Sequence, residues 1–431
     1  MDKCQECSRS DINFMFCKYC KPCNSVHFRN NFINWTSGDT KLDKVIQNSQ
    51  LNANRPHQLI EWIEYSNLEN IELIAHGGFG SVYKAIWKDG PIDQYGKQAW
   101  DLNKSEWRRE NKKEVAIKKF RDTTYVSSDL LNEVNSNLKM NSETGGLITL
   151  QIYGVTRDSQ NGEYAIVTEF KNGGNLRKII KKNHSYLTWK INLEILKSIS
   201  NGLYYVHKSK YYHKDLHSGN ILNKIYYMNY RIDSVISDFG LCRPMNQSST
   251  DKTPYGVLPF VAPEVLLGKE FTEAADIYGF GMIMLELISG EPPFVDREYD
   301  ENLALAICYG QRPQIPEYTP EPYAELMKRC WDPIPTNRPT PLELCCEFTN
   351  LSKVLNNKKS IELSEDRRLE IKETFGQERE DKWRARLAEL ATNPIPLKKS
   401  QNLLTSKRLD YSQSLSQQLS VEDWNKLKLT D

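Results

Sequence analysis

Residues 211–222 carry the side chains best suited to chemistry. Asp215 lies five residues before Asn220, and His213 lies two residues before Asp215. A carboxylate in this setting can accept the proton of a hydroxyl group, and an asparagine can bind Mg²⁺. By itself such a stretch is equally typical of a polar turn between a helix and a strand, so its interpretation depends on the rest of the chain.

Four further motifs accompany that stretch in a fixed order. Upstream lie a glycine-rich loop at residues 74–82 and Val115-Ala116-Ile117-Lys118, and downstream lie Asp238-Phe239-Gly240 and Ala262-Pro263-Glu264. Glycines let backbone amides approach phosphate groups because no Cβ stands in the way. Chance agreement of five ordered parts is remote.

The motifs between Ile74 and Pro339 resemble those of eukaryotic protein kinases, over roughly two-thirds of the chain. Residues 115–119, 213–222, 330–333 and 337–340 are similar to those of the tyrosine-kinase-like group. The N-terminal cysteines, residues 35–38 and residues 77–87 are similar to a large fungal set of such kinases. The resemblance implies an α+β, bilobal fold with a small antiparallel β lobe that holds one helix and a large, mostly helical lobe.

The resemblance also implies an activity, the transfer of the γ-phosphate of ATP to a protein hydroxyl in intracellular signalling. It implies that Asp215 accepts the hydroxyl proton, that Asn220 and Asp238 hold Mg²⁺ or Mn²⁺, and that Lys118 binds the α- and β-phosphates. Lys118 is expected to pair with Glu133 on the next helix, because Glu143 lies past that helix. The other residues expected around the nucleotide are Ile74, Ala75, His76, Gly77, Gly78, Phe79, Gly80, Val82, Ala116, Thr168, Glu169, Phe170, Lys171 and Leu222.

Three architectural or regulatory roles follow from the same resemblance. Asp276 is expected to brace the catalytic loop, which is the stretch at residues 211–222, and Arg338 is expected to pair with Glu264. Residues 241–261 are expected to form the activation segment, in which the candidate phosphorylation sites are Ser248, Ser249, Thr250 and Thr253. Clusters of Ser and Thr are common in any loop, so these sites are candidates only.

Four positions depart from the family pattern. Ala75 replaces the first glycine of the phosphate-binding loop, and Lys214 replaces an arginine that clamps an activation-segment phosphate in many relatives. Lysine lacks the two-pronged geometry of arginine, so phosphorylation is expected to control this enzyme weakly. His217 and Val257 stand where Ser/Thr kinases carry a lysine and often a threonine. Group resemblance favours Ser or Thr as the acceptor, and tyrosine or dual specificity stays open.

The N-terminal cysteines have the spacing of a structural zinc site. Cys4 and Cys7 form one pair, and Cys17, Cys20 and Cys23 compete for the other two places. Two such pairs can enclose one tetrahedral Zn²⁺ and leave no open position for chemistry. Cys20 and Cys23 are favoured because Cys17 is then spare. The alternatives are Cys17 with Cys20, or reduced thiols in a flexible terminus.

Four regions are predicted along the chain. They are a zinc-binding segment at residues 1–30, a linker with a helix at 31–67, a kinase domain at 68–352, and a charged helix with a disordered tail at 353–431. Helical spacing of Leu42, Val45, Ile46 and Leu51 predicts the linker helix, which is expected to pack on the kinase domain. Residues 88–114 are expected to form a solvated loop, 364–390 an exposed helix, and 391–431 a largely disordered tail.

Composition excludes several classes of protein. Lys and Arg number 57 against 56 Asp and Glu, so global charge does not favour nucleic acid, and hydrophobic content is 39%. No run approaches the roughly 18 apolar residues of a membrane span, and no secretory signal is evident. Five of the ten cysteines lie in the first 23 residues, which is unlike a secreted disulfide framework. A soluble cytoplasmic protein without a membrane span is therefore expected.

Two other functions compete with protein phosphorylation. A scaffold protein could use the kinase fold to bind partners, but it would be expected to lack the lysine or a metal-binding aspartate, and both are present. Phosphorylation of a small molecule is disfavoured because the activation segment and Ala262-Pro263-Glu264 resemble elements that serve a protein substrate. A protein substrate and upstream activating proteins are the partners that the resemblance implies.

Overall fold

A computed structural model of the chain describes residues 4–9, 19–76, 80–93, 99–120, 124–144, 149–245, 253–358, 363–394, 404–412 and 415. They divide into two compact units, Met1–Phe170 and Lys171–Asp431. The first unit is built on a β-sheet and the second is mainly helical, as the sequence predicts for the fold class. No helix among these residues is long and apolar enough to cross a membrane.

A six-stranded sheet forms the first unit, in the order β1-β7-β8-β6-β3-β2. Neighbouring strands are antiparallel, except for the parallel pair β1 and β7. Alternate residues of a strand point to opposite faces, so Val115 and Ile117 join an apolar cluster with Trp87 and Tyr153 on one side of the sheet. The strands are β1 (Glu61–Trp62), β2 (Leu68–His76), β3 (Gly80–Trp87), β4 (Trp100–Asp101), β5 (Glu106–Trp107), β6 (Lys113–Phe120), β7 (Ile152–Arg157) and β8 (Tyr164–Glu169).

Three helices belong to this unit, α1 (Lys21–Asn31), α2 (Thr40–Asn52) and α3 (Ser128–Thr144). The predicted linker helix is α2, and the Asp39 carboxylate caps it by accepting hydrogen bonds from two backbone N–H groups of its first turn. Leu42 and Ile46 are fully buried and pack with Leu130 and Val134 of α3. The prediction that α2 packs on the kinase domain is therefore confirmed.

The expectation of a solvated loop at residues 88–114 is wrong for the described part of that segment. Its short strands β4 and β5 pair with each other, and Ile92 and Ala99 are buried. The rings of His27 and Trp100 stack with centroids 4.0 Å apart, and those of Phe28 and Trp107 stack at 4.2 Å. The insertion thus gives helix α1 a packing surface made of tryptophan rings.

The second unit is packed around two of its helices, α5 (Trp189–Lys208) and α7 (Glu273–Ser289). Helix α5 has the predicted apolar spacing, and α7 is buried from Ala275 to Ile288. The helices are α4 (Leu176–Lys182), α5 (Trp189–Lys208), α6 (Pro263–Leu266), α7 (Glu273–Ser289), α8 (Glu301–Cys308), α9 (Glu321–Cys330), α10 (Pro341–Leu355), α11 (Glu365–Thr374) and α12 (Gln377–Thr392). The strands are β9 (Gly174–Asn175), β10 (Tyr211–Tyr212), β11 (Ile221–Tyr226), β12 (Arg231–Ile236), β13 (Arg243–Pro244), β14 (Tyr255–Gly256) and β15 (Lys407–Arg408).

The described part of the C-terminal region, residues 363–394, 404–412 and 415, differs from the expectation of one exposed helix followed by a disordered tail. Residues 365–392 form two helices, and Trp383 and Leu387 of α12 are buried. Residues 404–412 are placed against the second unit, where β15 pairs antiparallel with β14. The few apolar residues in this region thus pack in the interior. The high charge of the segment did not indicate this packing.

Candidate active site

Lys118 and Glu133 form the predicted ion pair in the first unit. The Lys118 Nζ atom lies 2.8 Å and 3.0 Å from the two carboxylate oxygens of Glu133. Lys118 lies on β6, and Glu133 lies on α3, in the second turn of the helix. Both side chains are largely buried, so the pair fixes the position of the ammonium group in a medium of low dielectric. Glu143, the weaker candidate, lies in the last turn of α3 and not past its end as expected, and its side chain lies outside the described residues.

Strand register places several predicted nucleotide-binding residues on the same face of the sheet as Lys118. Val82 lies opposite Lys118, and Ala75 lies opposite Val82. On the other side of β6, Thr168 lies opposite Ala116, two residues from Lys118. Opposed residues in a sheet share a face, so these small and apolar side chains form a continuous surface beside the ammonium group.

The remaining predicted nucleotide-binding residues lie at the ends of these strands or outside the described residues. Ile74 and His76 lie at the end of β2, Gly80 begins β3, Glu169 ends β8, and Phe170 follows it. The Lys84 ammonium group lies 4.9 Å from the centre of the Phe170 ring. Lys171 and Leu222 belong to the second unit. Gly77, Gly78 and Phe79 lie outside the described residues, as do Ser248, Ser249 and Thr250 of the activation segment.

In the second unit, Asn220 holds Asp215 in place. The Asn220 Nδ2 atom donates to the Asp215 backbone carbonyl at 2.9 Å and to Asp215 Oδ2 at 3.2 Å. Because the amide nitrogen makes both contacts, Oδ1 is the atom with which Asn220 can accept or bind a cation. The spacing of five residues thus brings a carboxylate and an amide oxygen to one place.

A hydrogen-bond network joins the catalytic loop to the Asp238 motif. The N–H and the hydroxyl of Ser237 both donate to the Asn220 carbonyl at 2.9 Å, and His213 Nε2 lies 3.1 Å from the Ser237 carbonyl. The next residue, Asp238, has left-handed backbone angles of φ 64° and ψ 71°. This conformation is costly for a residue other than glycine, and the network on its N-terminal side helps to maintain it.

Asp276 has the bracing role that the resemblance implies. It is buried at the start of α7, and its two carboxylate oxygens accept the backbone N–H groups of His213 and Lys214, each at 3.0 Å. His207 Nε2 lies 2.9 Å from the same carboxylate. Lys214 has a positive φ of 69°, and the hydrogen bonds to Asp276 oppose the relaxation of that turn.

The Asp215 carboxyl group is buried, and its surroundings lower its pKa. Burial would raise the pKa of Asp215, but the neighbouring His217, the hydroxyl of Ser406 and the charge of His213 together outweigh burial and hold the pKa below its usual value. Ser406 Oγ lies 2.7 Å and 2.9 Å from the two carboxylate oxygens. A serine hydroxyl thus occupies the position from which Asp215 can remove a proton.

Arg338 and Glu264 form the predicted architectural pair. Two guanidinium nitrogens of Arg338 lie 2.6 Å and 2.9 Å from the two Glu264 oxygens, and the arginine also donates to the carbonyl groups of Asp332 and Ala274. Both residues are buried. The pair joins the segment after the activation loop to the start of helix α10, and it contributes no group to the reaction.

Four of the five N-terminal cysteines come together. Cys4 Sγ lies 3.8 Å from Cys23 Sγ, and Cys7 Sγ lies 3.7 Å from Cys20 Sγ. All four sulfur atoms lie within 4.8 Å of one another. In a tetrahedron with metal–sulfur distances of about 2.3 Å, sulfur atoms are separated by about 3.8 Å, so the spacing fits one Zn²⁺ ion. Cys17 lies outside the described residues.

Four residues near Asp215 were not predicted from the sequence. Arg177 and Tyr255 contact the segment that carries Ser406, and Glu286 holds Arg177. Ser406 itself lies in a polar tail. A polar residue on a helix or in a tail gives no local signal, and the only clue at Ser406 is the Lys-Arg-Leu that follows it.

Comparison with known proteins supports the resemblance to protein kinases. Residues 68–348 match the family model described as protein tyrosine and serine/threonine kinase. This chain belongs to that family.

Curated proteins that are similar to this chain are kinases from several different organisms. The chain is 30% identical to the dual specificity protein kinase splA of Dictyostelium discoideum, over 64% of this chain and 11% of that protein. It is 29% identical to mitogen-activated protein kinase kinase kinase 10 of Xenopus laevis, over 73% of this chain and 30% of that protein. The alignments therefore cover less than a third of each relative's length.

Proposed function

We propose that this chain is an ATP-dependent protein kinase that transfers the γ-phosphate of ATP to a protein hydroxyl, of serine or threonine. The observation that carries this proposal is the buried Asp215 carboxylate, which Asn220 orients within reach of a hydroxyl group. Membership of the kinase family and the Lys118–Glu133 pair support it.

Each residue of the site has a separate role in this reaction. Asp215 accepts the hydroxyl proton, and Lys118 binds the nucleotide phosphates, with Glu133 holding its ammonium group in place. Asn220 Oδ1 and the Asp238 carboxylate are oxygen ligands of the kind that Mg²⁺ or Mn²⁺ prefers. The bound metal would neutralise charge on the phosphates. Rate enhancement then comes mainly from positioning and from charge stabilisation.

The test is phosphate incorporation from labelled ATP and Mg²⁺ into dephosphorylated casein, followed by phosphoamino-acid analysis. Asp215→Asn should abolish incorporation, and phosphoserine or phosphothreonine should carry the label in the wild type. The matched control is Asp233→Asn, on the partly exposed hairpin strand β12, where the aspartate pairs with exposed Arg231. Equal incorporation by wild type and Asp215→Asn would refute the proposal.

The scaffold alternative is not favoured. It would be supported by loss of the phosphate-binding lysine, the metal-binding aspartate or the proton acceptor. Lys118, Asp215, Asn220 and Asp238 are all of the type that phosphate transfer requires. Protein binding by the fold alone therefore has no observation in its favour.

We also propose that Cys4, Cys7, Cys20 and Cys23 hold a structural Zn²⁺ ion. The proposal is supported by the sulfur separations and by the burial of three of the four residues.

The likeness of this segment to a fungal set of kinases is a proposal as well. So is a cytoplasmic location, which is supported by the absence of disulfide bonds among the described cysteines.

A further inference from the structure

Residues 404–409 lie along the activation segment, and two of them, Lys407 and Arg408, form the short strand β15. Lys407 is opposite Gly256 and Arg408 is opposite Tyr255 in an antiparallel pair. The Leu409 N–H donates to the Pro254 carbonyl at 2.8 Å. Main-chain pairing of this kind is how sheet edges bind extended peptides.

Side chains fix this segment on both sides of Ser406. Arg177 donates to the Leu404 carbonyl at 3.0 Å, and the Tyr255 hydroxyl donates to the Ser406 carbonyl at 3.1 Å. Glu286, which is buried, holds the Arg177 guanidinium group at 3.1 Å. Main-chain groups of the tail are therefore held by side chains of the second unit.

Downstream of Ser406 the tail presents three distinct side chains. Lys407 and Arg408 are exposed, and Arg408 also donates to the Thr253 hydroxyl at 2.9 Å. Leu409 is fully buried. Burial of an apolar side chain is favourable, so Leu409 is an apolar anchor three residues after the serine.

Hydrogen bonding around Ser406 identifies the proton acceptor. His217 Nδ1 accepts the Gly219 N–H at 3.0 Å, so Nε2 is the ring nitrogen that can donate a hydrogen bond. His217 Nε2 lies 3.1 Å from Ser406 Oγ and donates to it. Among the described residues, the serine hydroxyl therefore has one acceptor for its own proton, the Asp215 carboxylate, and His217 is a positioning residue.

We propose that Ser406 is a phosphorylation site of this same chain's catalytic centre, and that the 404–409 segment marks the path of its protein substrates. The acceptor motif is serine followed by two basic residues and a leucine. This inference rests on the proposed kinase function and adds the substrate class to it.

The reaction would convert Ser406 to phosphoserine. Ser406 Oγ forms a bond to Pγ of ATP, and the bond between Pγ and the β–γ bridging oxygen breaks. The hydroxyl proton passes to Asp215, ADP leaves, and Asp215 later releases the proton to water. The product carries nearly two negative charges beside the buried carboxylate, so the phosphorylated tail is expelled from the site.

This geometry makes the tail a self-limiting block. A tethered segment has an effective concentration on the order of millimolar, so it excludes other substrates until Ser406 is phosphorylated. Wild-type protein should then phosphorylate an added peptide only after a lag. The rate of Ser406 phosphorylation should not change on dilution, because the reaction is intramolecular.

The experiment uses phosphatase-treated protein of residues 1–431, Mg²⁺ and labelled ATP, with mass spectrometry of residue 406. We expect label at Ser406 in the wild type and in the control Thr405→Ala, and no label there in Ser406→Ala or Asp215→Asn. Leu409→Asp, which places a charge at a fully buried position, should lower labelling of Ser406 more than about tenfold and remove the lag. Thermal unfolding of each variant checks that it folds.

Casein and a synthetic peptide of residues 400–413 separate the two proposals. Labelled casein with unlabelled Ser406 would overturn the assignment of Ser406 and leave the kinase function intact. Label at Ser406 whose rate rises with protein concentration would overturn the intramolecular block. If Ser406, casein and the peptide all stay unlabelled in the wild type and in Leu409→Asp, the kinase function itself fails. Phosphorylation of the peptide that falls when its leucine is replaced by aspartate would support the motif.

Discussion

The indole rings of Trp189 and Trp383 stack with centroids 4.5 Å apart and planes 10° apart. Trp189 begins helix α5, which leads to the catalytic loop, and Trp383 lies on α12, beyond the region that matches the kinase family. Trp383 is fully buried, and its indole N–H donates to the Leu287 carbonyl. The C-terminal helices are therefore part of the core of the second unit.

Replacing Trp383 with alanine should destabilise the protein by about 3–5 kcal/mol, because it removes a fully buried ring and leaves a cavity. The free energy of unfolding of this variant, measured with urea, tests the prediction. The control is Leu369→Ala on α11. The Leu369 side chain is 52% exposed, so this variant should lower the free energy of unfolding by less than about 0.5 kcal/mol. Equal costs for the two variants would contradict the packing role of α12.

Glu133→Gln should lower kcat/KM for peptide phosphorylation on the order of a hundredfold, since the Lys118 ammonium group loses the charge that positions it. Glu106→Gln on β5, a 61% exposed side chain, is the matched control and should leave kcat/KM unchanged. The measurement is steady-state kinetics at saturating ATP and over a range of ATP concentrations. Unchanged kinetics in Glu133→Gln would mean that another group positions Lys118.

The positions of the proposed catalytic residues were predictable because their chemistry is tied to short motifs. Lys118, Glu133, Asp215 and Asn220 each lie at a fixed distance from neighbouring motif residues. Where the chain forms the expected strand, helix or loop, that spacing brings Lys118 to Glu133 in the first unit and Asp215 to Asn220 in the second.

The contacts that could not be predicted from the sequence join residues far apart in the chain. The stack of His27 on Trp100 has no local periodicity, and neither has the contact of Ser406 with Asp215. The charge of residues 364–390 suggested exposure, yet one tryptophan and one leucine, Trp383 and Leu387, suffice to bury one face of α12. Composition reports the average of a segment, whereas packing depends on a few positions.

Lys119 and Asp158 form a buried ion pair next to the Lys118 position, and it predicts a pH-dependent stability. Burial would raise the pKa of Asp158, but hydrogen bonds from Lys119, the Gln160 backbone and Tyr65 hold it below its usual value. A lowered folded-state pKa stabilises the fold above the unfolded value of about 3.9, and this contribution is lost as the pH falls through the folded-state pKa.

Asp158→Asn should therefore cost about 2–3 kcal/mol at pH 7 and at pH 5, and less at pH 3.5. The cost is below that of an isolated buried pair because Glu163 remains 3.4 Å from Lys119. Urea unfolding at the three pH values measures it. The control, Asp233→Asn at the exposed pair with Arg231, should cost less than about 1 kcal/mol at every pH. A cost that does not shrink at pH 3.5 would contradict the ionised state of Asp158.

The proposed zinc site predicts one equivalent of metal per chain and a loss of stability on its removal. Cys23→Ser should abolish stoichiometric zinc in protein purified without added chelator, as measured by atomic emission, and it should lower the melting temperature. The control Cys346→Ser replaces an exposed cysteine far along the chain and should retain the metal.

Cys17→Ser decides between the two alternatives for the second pair of ligands. The sulfur atoms of Cys20 and Cys23 lie with those of Cys4 and Cys7, so Cys17→Ser should keep one equivalent of zinc and an unchanged melting temperature. Zinc lost in Cys17→Ser but kept in Cys23→Ser would move the site to Cys17 and Cys20. Wild-type protein without zinc, whose melting temperature does not respond to added Zn²⁺ or to a chelator, would show that the four thiols pack together without a metal.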